Sequence, residues 1–284
     1  MATKQSLTAY ALATLANDQQ ACPCGNDVHS LNSRSYCQYH ARFTAWLYDG
    51  ARRPFSVFVK GNQKLPFMAF SCLPQITCPG AGECLAYCYS FKAWRNPGAF
   101  FRQLGNTVLL ATEEGRDEIA REWALLPYGI DVRWGVDGDI ANGRMLRFLF
   151  SLCESRQDLR VYGYSKSWAI FLAHADAGRA FPSNYVLNLS GGSVYGEAMR
   201  ERMEQLPITR GTFDAYSVAS KMPNRRIDAP AWAAWAKALK ATAKQAGVGR
   251  AYVCPGKCGD CMGNGAHACG THAMDNITVL IGIH

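Results

Sequence analysis

Three cysteines fall within eleven residues of one short segment, at Cys78, Cys84 and Cys88. A proline and two glycines in the same segment keep its first part out of a helix and let the backbone wrap around a bound object. Three thiolates on a [4Fe–4S] cluster leave one iron open to a small molecule or a fourth residue. A structural zinc site is the alternative, and Cys72 could then be the fourth ligand. We predict a metal centre here and prefer the cluster.

Four further cysteines share a glycine-rich segment with little apolar content near the end of the sequence. They suit a closed four-cysteine site that holds either a second [4Fe–4S] cluster or a structural zinc ion. His267 or His272 could replace one of the thiols. The four are Cys254, Cys258, Cys261 and Cys269.

A third set of candidate ligands lies near the start of the sequence, in what the pattern indicates is a polar loop after a short helix. Two ligand pairs with twelve residues between them are compatible with a small zinc knuckle. Free thiols packed under an N-terminal appendage are the alternative. The four residues are Cys22, Cys24, Cys37 and His40.

The composition indicates a cytoplasmic protein that does not enter a membrane. The sequence shows no apolar run of membrane-spanning length and no secretory leader, so the twelve cysteines are expected to be reduced thiols. A formal net charge of +8 suits an anionic partner such as a nucleic acid or a phosphorylated cofactor. A soluble, mildly basic surface explains the charge equally well.

Short β-rich runs alternate with helical patterns from Pro54 onward, which predicts an α/β fold with parallel strands. Six such units, without a Gly-x-Gly-x-x-Gly turn after the first strand, favour a partial (β/α)6 TIM-like barrel over an open doubly wound sheet. We expect an appendage over residues 1–53, the barrel over 54–250 and a cysteine-rich segment over 251–284. The predicted strands are 67–73, 130–134, 160–164, 185–189, 213–218 and 250–254, and the predicted helices are 99–112, 143–154, 168–178, 194–205 and 230–245.

Polar residues follow several of the predicted strands, where the loops of a β/α barrel carry the site. Each residue alone is explained as well by a helix cap or a turn, so the prediction depends on their shared position. Lys166 and the serines could meet a carboxylate, and Asp139 an ammonium group, which makes Lys166 and Asp139 our catalytic candidates. The candidate cofactor-binding residues are Asp137, Gly138, Asp139, Ser165, Lys166, Ser190 and Ser217.

Several of these motifs together resemble the gene-product-88 family of phage and plasmid proteins. The resemblance covers residues 55–269 and depends on the runs CPG…C…CYS…K, RWGVDGDI and VYGYSKS, with a strand ending in Ser190 and a cysteine-rich C-terminus. That family in turn resembles the radical S-adenosylmethionine enzymes, which have a partial (β/α)6 barrel and a [4Fe–4S] cluster on three cysteines after the first strand. Those enzymes typically have three and two residues between the cysteines, whereas this sequence has five and three.

The resemblance implies that Asp137, Gly138 and Asp139 replace a segment whose backbone contacts the amino group of S-adenosylmethionine. It also implies an auxiliary cluster on the C-terminal cysteines, a small-molecule or nucleic-acid substrate and a reductant protein as partner. The leading hypothesis is therefore a radical S-adenosylmethionine-type enzyme. A non-catalytic iron–sulfur protein that binds nucleic acid is one alternative, and an all-zinc structural protein is another.

Overall fold

The computed structural model describes residues 4–23, 31–61, 65–262 and 267–282. These residues form a mixed α/β fold around one eight-stranded sheet. The strands are β1 (Val59–Lys60), β2 (Met68–Ala69), β3 (Asp131–Trp134), β4 (Arg160–Ser165), β5 (Tyr185–Ser190), β6 (Thr209–Tyr216), β7 (Ala251–Val253) and β8 (Thr278–Gly282). The helices are α1 (Lys4–Leu15), α2 (Leu31–Asp49), α3 (Ser90–Ala93), α4 (Pro97–Ala111), α5 (Glu113–Ala124), α6 (Gly143–Ser155), α7 (Trp168–Asp176), α8 (Glu197–Glu204) and α9 (Ala229–Gln245).

The strands lie in the order β1-β2-β3-β4-β5-β6-β8-β7, and only the β1–β2 pair is antiparallel among the described strands. From β2 to β6 each strand pairs with the next one along the chain. Right-handed crossovers between strands in such unbroken order bring their helices to one face of the sheet, whereas a doubly wound sheet needs a reversal of order. The predicted parallel α/β fold is confirmed. The barrel is not, because β1 and β7 remain the open edges of the sheet within the described residues.

The helix-covered face of the sheet holds the main hydrophobic core. Val132, Val161 and Leu187 project from β3, β4 and β5 into this core and are at most 1% exposed. Successive side chains of a strand point to opposite faces, so Arg133, Tyr162 and Asn188 belong to the other face. That second face is the one the C-terminal cysteine segment covers.

The predicted polar loop near the N-terminus is wrong for its second half, because Cys37 and His40 lie within helix α2. Tyr36 and Phe43 of α2 are buried against Phe100 and Phe101 of α4, and α1 packs on the same cluster. Apolar residues seven positions apart on one helical face explain why this polar sequence still folds as a helix. None of the described helices is both long and apolar enough to cross a membrane.

Strand β2 is much shorter than the predicted strand 67–73. Beyond Ala69 the chain still pairs with β3 and the segment after it, since Phe70 N donates to Arg133 O and Cys72 N donates to Asp137 O, each at 3.0 Å. Strand β8 has no counterpart in the predictions. It inserts between β6 and β7 and moves the predicted sixth strand to the edge.

Candidate functional site

The loop that carries Cys78, Cys84 and Cys88 lies across the carboxyl ends of β4 and β5. Gly82 N donates to Gly192 O, and Val194 N donates to Gly80 O, each at 3.0 Å. A Cβ on Gly80 would stand 1.8 Å from Lys166 O, so only glycine allows the loop this close to the β4–α7 turn. The glycines that the sequence places between the cysteines therefore dock the loop on the strand ends.

The carboxylate of Asp139 influences the ionisation of two of the loop's thiols. Burial raises the pKa of Cys78, and the charges of Asp139 and Cys72 raise it further. Burial also raises the pKa of Cys84, which Lys166 lowers and Cys88 raises. Asp139 acts on both Cys78 and Cys84, and its carboxylate is therefore central to the loop.

Asp139, Lys166 and Ser190 form one hydrogen-bonded network at the ends of β3, β4 and β5. Asp139 Oδ2 accepts from Lys166 N, and Asp139 Oδ1 accepts from Ile140 N, each at 2.7 Å. Lys166 Nζ donates to Ser190 Oγ at 2.5 Å. Burial raises the pKa of Asp139, while hydrogen bonds from Lys166 and Ser165 lower it. The buried carboxylate thus fixes the turn from which the Lys166 side chain extends to Ser190.

A cavity of about 310 Å³ opens beside this network, between the cysteine loop and the ends of β5 and β6. Tyr87 and Glu83 of the loop form one wall, and Trp168, Ser190 and Asp214 form the other. Aromatic rings beside a few convergent polar groups are typical of small-molecule sites.

Sequence reasoning missed Asp214, which lies on β6 two residues before the strand ends. Burial raises its pKa, and the charges of Arg200 and Lys166 lower it. A carboxylate among Phe213, Ala215 and Tyr216 of the predicted strand 213–218 was the available signal. Ser217, which the sequence proposed for this position, is exposed beyond β6 and does not line the cavity.

The remaining predicted binding residues do not line the cavity, and of these Asp137 and Ser165 are buried while Gly138 is half-buried. Gln103 Nε2 donates to Asp137 Oδ2 at 2.9 Å. Burial raises the pKa of Asp137, while a hydrogen bond from Ser90 and the charge of Arg133 lower it. A Cβ on Gly138 would lie 2.4 Å from Cys72 Sγ. Ser165 Oγ accepts from Ser167 N at 2.9 Å at the start of α7.

The C-terminal cysteine segment crosses the face of the sheet opposite the helices. Asn188 of β5 donates to Cys269 O at 2.8 Å, and Cys254 N donates to Leu280 O of β8 at 2.9 Å. Backbone N–H groups point at two of the sulfurs, from Gly256 to Cys254 Sγ at 3.4 Å and from Ala268 to Cys261 Sγ at 3.2 Å. Such N–H donors stabilise metal-bound thiolates.

The four C-terminal thiols lie close enough to influence one another's ionisation. Burial raises the pKa of Cys254 to about 12, and Cys269, Cys258 and Cys261 contribute to the shift. Burial likewise raises the pKa of Cys258 to about 11, although Arg133 lowers it. A half-buried set of thiols with N–H donors fits a soft metal, whose charge would stabilise the thiolates that partial burial disfavours.

The two histidines of this segment differ in their burial and in their partners. His267 lies 4.4 Å from both the Phe67 and Tyr162 rings, and its Nε2 stands 3.9 Å from Asp131 Oδ1, too far for a hydrogen bond. Both its ring nitrogens are buried without a hydrogen-bond partner among the described residues. His272 is exposed and pairs with Asp275 at 2.9 Å.

At the N-terminal set, Cys22 Sγ and Cys37 Sγ are 3.2 Å apart. His40 lies one turn after Cys37, and its Nδ1 is 2.9 Å from Tyr10 OH. Burial lowers the His40 pKa, which favours the neutral, ligand-competent ring. Cys24 lies outside the described residues.

Within the ranges that the structure describes, no three His, Cys, Asp or Glu side chains stand in an arrangement that would hold a metal ion as they are. The electrostatic influence of each thiol on its neighbours nonetheless shows which cysteines lie near one another. Cys84 lies near Cys88, and Cys78 lies nearer Cys72. The C-terminal four form a group of their own.

Comparison with protein families gives one match, to the family described as gene product 88, over residues 50–261. The chain belongs to the gene product 88 family. The match includes the whole cysteine loop and the first three C-terminal cysteines. No curated protein and no solved structure gives a significant match.

Proposed function

We propose that this gene product 88 protein is an iron–sulfur protein and an enzyme of the radical S-adenosylmethionine type. In this proposal Cys78, Cys84 and Cys88 hold a [4Fe–4S] cluster with one open iron. The main support is the network of Asp139, Lys166 and Ser190 directly beside the cysteine loop. It brings a cation, a buried carboxylate and a hydroxyl to the carboxyl ends of neighbouring parallel strands, where β/α proteins bind ligands.

The residues of this region suit a zwitterionic ligand with an aromatic part. Lys166 and Ser190 can receive a carboxylate, and Asp214 can receive an ammonium or a hydroxyl group. Tyr87 and Trp168 give the cavity aromatic walls against which a base could pack. A bound cluster would supply an electron at its open iron. Asp139 acts as a positioning residue, because both its oxygens already accept backbone N–H groups.

The C-terminal cysteines are proposed to hold a second, closed centre, either a [4Fe–4S] cluster or zinc. Their support is the thiol-only donor set, its burial and the N–H groups aimed at Cys254 and Cys261. The N-terminal Cys22 and Cys37, with Cys24 and His40, remain a proposed zinc site. We further propose a cytoplasmic location and a reductant protein as partner.

Anaerobic purification followed by addition of S-adenosylmethionine tests the enzyme proposal. The protein should contain iron and sulfide, absorb near 400 nm, and change its electron paramagnetic resonance spectrum when S-adenosylmethionine is added after reduction. Lys166→Met should weaken this change, whereas Lys237→Met, on the exposed side of α9, should leave it intact. If the protein contains iron but its electron paramagnetic resonance spectrum does not change when S-adenosylmethionine is added, the enzyme proposal is refuted.

A second candidate is a non-catalytic protein that binds single-stranded nucleic acid. It is favoured by exposed tyrosines on the cysteine-loop side of the molecule, since Tyr39, Tyr87 and Tyr89 are 37%, 36% and 54% exposed. Arg95 and Arg102 follow in the same stretch of chain, and base stacking on aromatics with nearby cations is how such proteins bind. Salt-dependent binding of an oligonucleotide that Tyr89→Ala weakens, without any response to S-adenosylmethionine, would favour this candidate.

A further inference from the structure

Arg133 lies on the sheet face that the C-terminal cysteine segment covers. Its register partner on β4 is Tyr162, and its guanidinium carbon lies 4.5 Å from the centre of the Tyr164 ring. The flanking Val132 and Trp134 point to the opposite, helix-covered face and are almost completely buried. Arg133 therefore projects from the sheet into the space between strand and cysteine segment.

The hydrogen bonding of Arg133 is incomplete. Its Nε is buried and has no hydrogen-bond partner among the described residues. Arg210, a second buried arginine on this side, differs sharply, because its guanidinium donates to Asn188 and to the backbone carbonyls of Ile277 and Thr212. Arg210 thus ties the chain before β8 to the sheet, whereas Arg133 has donor capacity that the protein leaves unused.

The groups around Arg133 come from both cysteine regions. Burial raises the pKa values of Cys258 and Cys269 in the C-terminal set, and Arg133 lowers both. Tyr89 directly follows Cys88 of the loop, and its hydroxyl donates to Val136 O just after β3. Although the Tyr89 side chain as a whole is 54% exposed, desolvation at its hydroxyl raises its pKa to about 12, and Arg133 lowers it. The guanidinium accordingly lies near two thiols of the C-terminal set and near the residue that follows Cys88 of the loop.

A buried guanidinium without full hydrogen bonding is costly unless an anion lies near it. A metal centre with four thiolate ligands carries net negative charge, and nearby charge sets the potential of such a centre. We propose that Arg133 is a positioning and charge-balancing residue for a redox centre on Cys254, Cys258, Cys261 and Cys269, and that its positive charge raises the reduction potential of that centre. This inference rests on the proposed iron–sulfur function.

Reduction adds an electron, so a nearby positive charge favours the reduced state. Arg133→Met removes that charge and keeps a long apolar side chain, whereas Arg133→Lys keeps the charge. We expect Arg133→Met to lower the equilibrium constant for reduction of the C-terminal centre about tenfold. For a one-electron step this corresponds to a midpoint potential about 59 mV more negative. Arg133→Lys should retain most of the wild-type potential.

The test is a redox titration of the anaerobically purified full-length protein, monitored by electron paramagnetic resonance. The C-terminal signal is identified as the one lost in Cys258→Ser, and Arg160→Met serves as the charge-matched control because Arg160 is exposed and pairs with Asp131. A negative shift in Arg133→Met alone supports the inference. Equal potentials in Arg133→Met and wild type, or an equal shift in Arg160→Met, overturns it while leaving the iron–sulfur proposal standing. A protein with zinc or no metal at these cysteines also overturns the inference, and only a protein without iron at either cysteine region overturns the iron–sulfur proposal as well.

Discussion

The two main cysteine regions differ in what surrounds the thiols. Cys78, Cys84 and Cys88 belong to a loop across the carboxyl ends of β4 and β5, beside a cavity and a charged network. The C-terminal four lie on the face of the sheet, and the backbone N–H groups of Gly256 and Ala268 donate to two of their sulfurs. The loop has three thiols and a neighbouring cavity, whereas the C-terminal segment has four thiols, enough for a closed centre.

This difference assigns separate roles to the two regions in our proposal. An incomplete thiol set beside a cavity suits a centre that binds an exogenous ligand. A complete thiol set suits a centre that joins chain segments and exchanges electrons without binding substrate. The C-terminal segment also connects β7 to β8, so a metal there would stabilise one edge of the sheet.

The largest effect is expected from replacing one cysteine in each region, which tests whether the two regions hold separate metal centres. Cys258→Ser should remove one whole metal centre and destabilise the fold by several kcal/mol, because metal binding in such a segment contributes folding free energy. Cys84→Ser should remove a different centre with a smaller loss of stability. Metal analysis and thermal unfolding of the two variants check this. Unchanged metal content in both would contradict the comparison.

A steric test follows from the docking of the loop. Gly80→Ala would place a Cβ 1.8 Å from Lys166 O, and we expect a cost of about 1–3 kcal/mol together with loss of metal from the loop alone. Gly196→Ala is the control, since no atom lies within 4 Å of a Cβ there. Chemical denaturation measures both. Equal stabilities for the two variants would mean that the loop is not seated on the β4–α7 turn.

An effect of similar size is expected at the buried carboxylate of the network. Asp139→Asn keeps the shape but weakens the acceptors for Lys166 N and Ile140 N, at a cost of about 1.5–3 kcal/mol for hydrogen bonds to a charged group. The response to S-adenosylmethionine should weaken, while the metal content of the C-terminal region stays the same. A fully retained spectral response with lowered stability would leave Asp139 a purely structural residue.

The smallest expected effect concerns acid stability on the C-terminal side. Burial acts to raise the pKa of Asp131, but His267 and Arg160 outweigh it and lower the pKa to about 2. Because this pKa is depressed, the stabilisation is complete above the ordinary value of 3.8 and is lost as the pH falls through about 2. We expect Asp131→Asn to lower the free energy of unfolding by about 1 kcal/mol near neutral pH.

Measurements of the free energy of unfolding at several pH values check the direction of this pH dependence. The difference between wild type and Asp131→Asn should shrink as the pH falls from about 5 toward about 2. A difference in the free energy of unfolding that grows as the pH falls would contradict the assignment of a lowered pKa to Asp131.

The sequence predicts β3, β4 and β5 well because each is a short run rich in valine, leucine or aromatic residues and bounded by polar turns. It misses β8, since a strand that inserts between β6 and β7 is placed by pairing with distant residues rather than by local pattern. It misses the start of β6 as well, because Thr209, Arg210 and Thr212 have a polar pattern that only burial and hydrogen bonding in the folded sheet explain.

Part of the candidate site could also be predicted from the sequence. Asp139, Lys166 and Ser190 follow or end strands, and parallel pairing brings strand ends together. Asp214 and Arg133 lie inside strands, so their surroundings depend on which face and which neighbours the sheet gives them. The helical setting of Cys37 and His40 depends on packing against α4, which the polar local sequence does not reveal.

The central claim is that the cysteine loop holds an open iron–sulfur cluster beside a ligand site. The most direct measurement is the electron paramagnetic resonance spectrum of the reduced Cys258→Ser protein, in which the loop centre remains alone, with and without S-adenosylmethionine. Our account predicts a [4Fe–4S] signal that changes on addition and is lost when Cys84→Ser is added to Cys258→Ser. A signal that persists in this double variant, or that S-adenosylmethionine leaves unchanged, would contradict it.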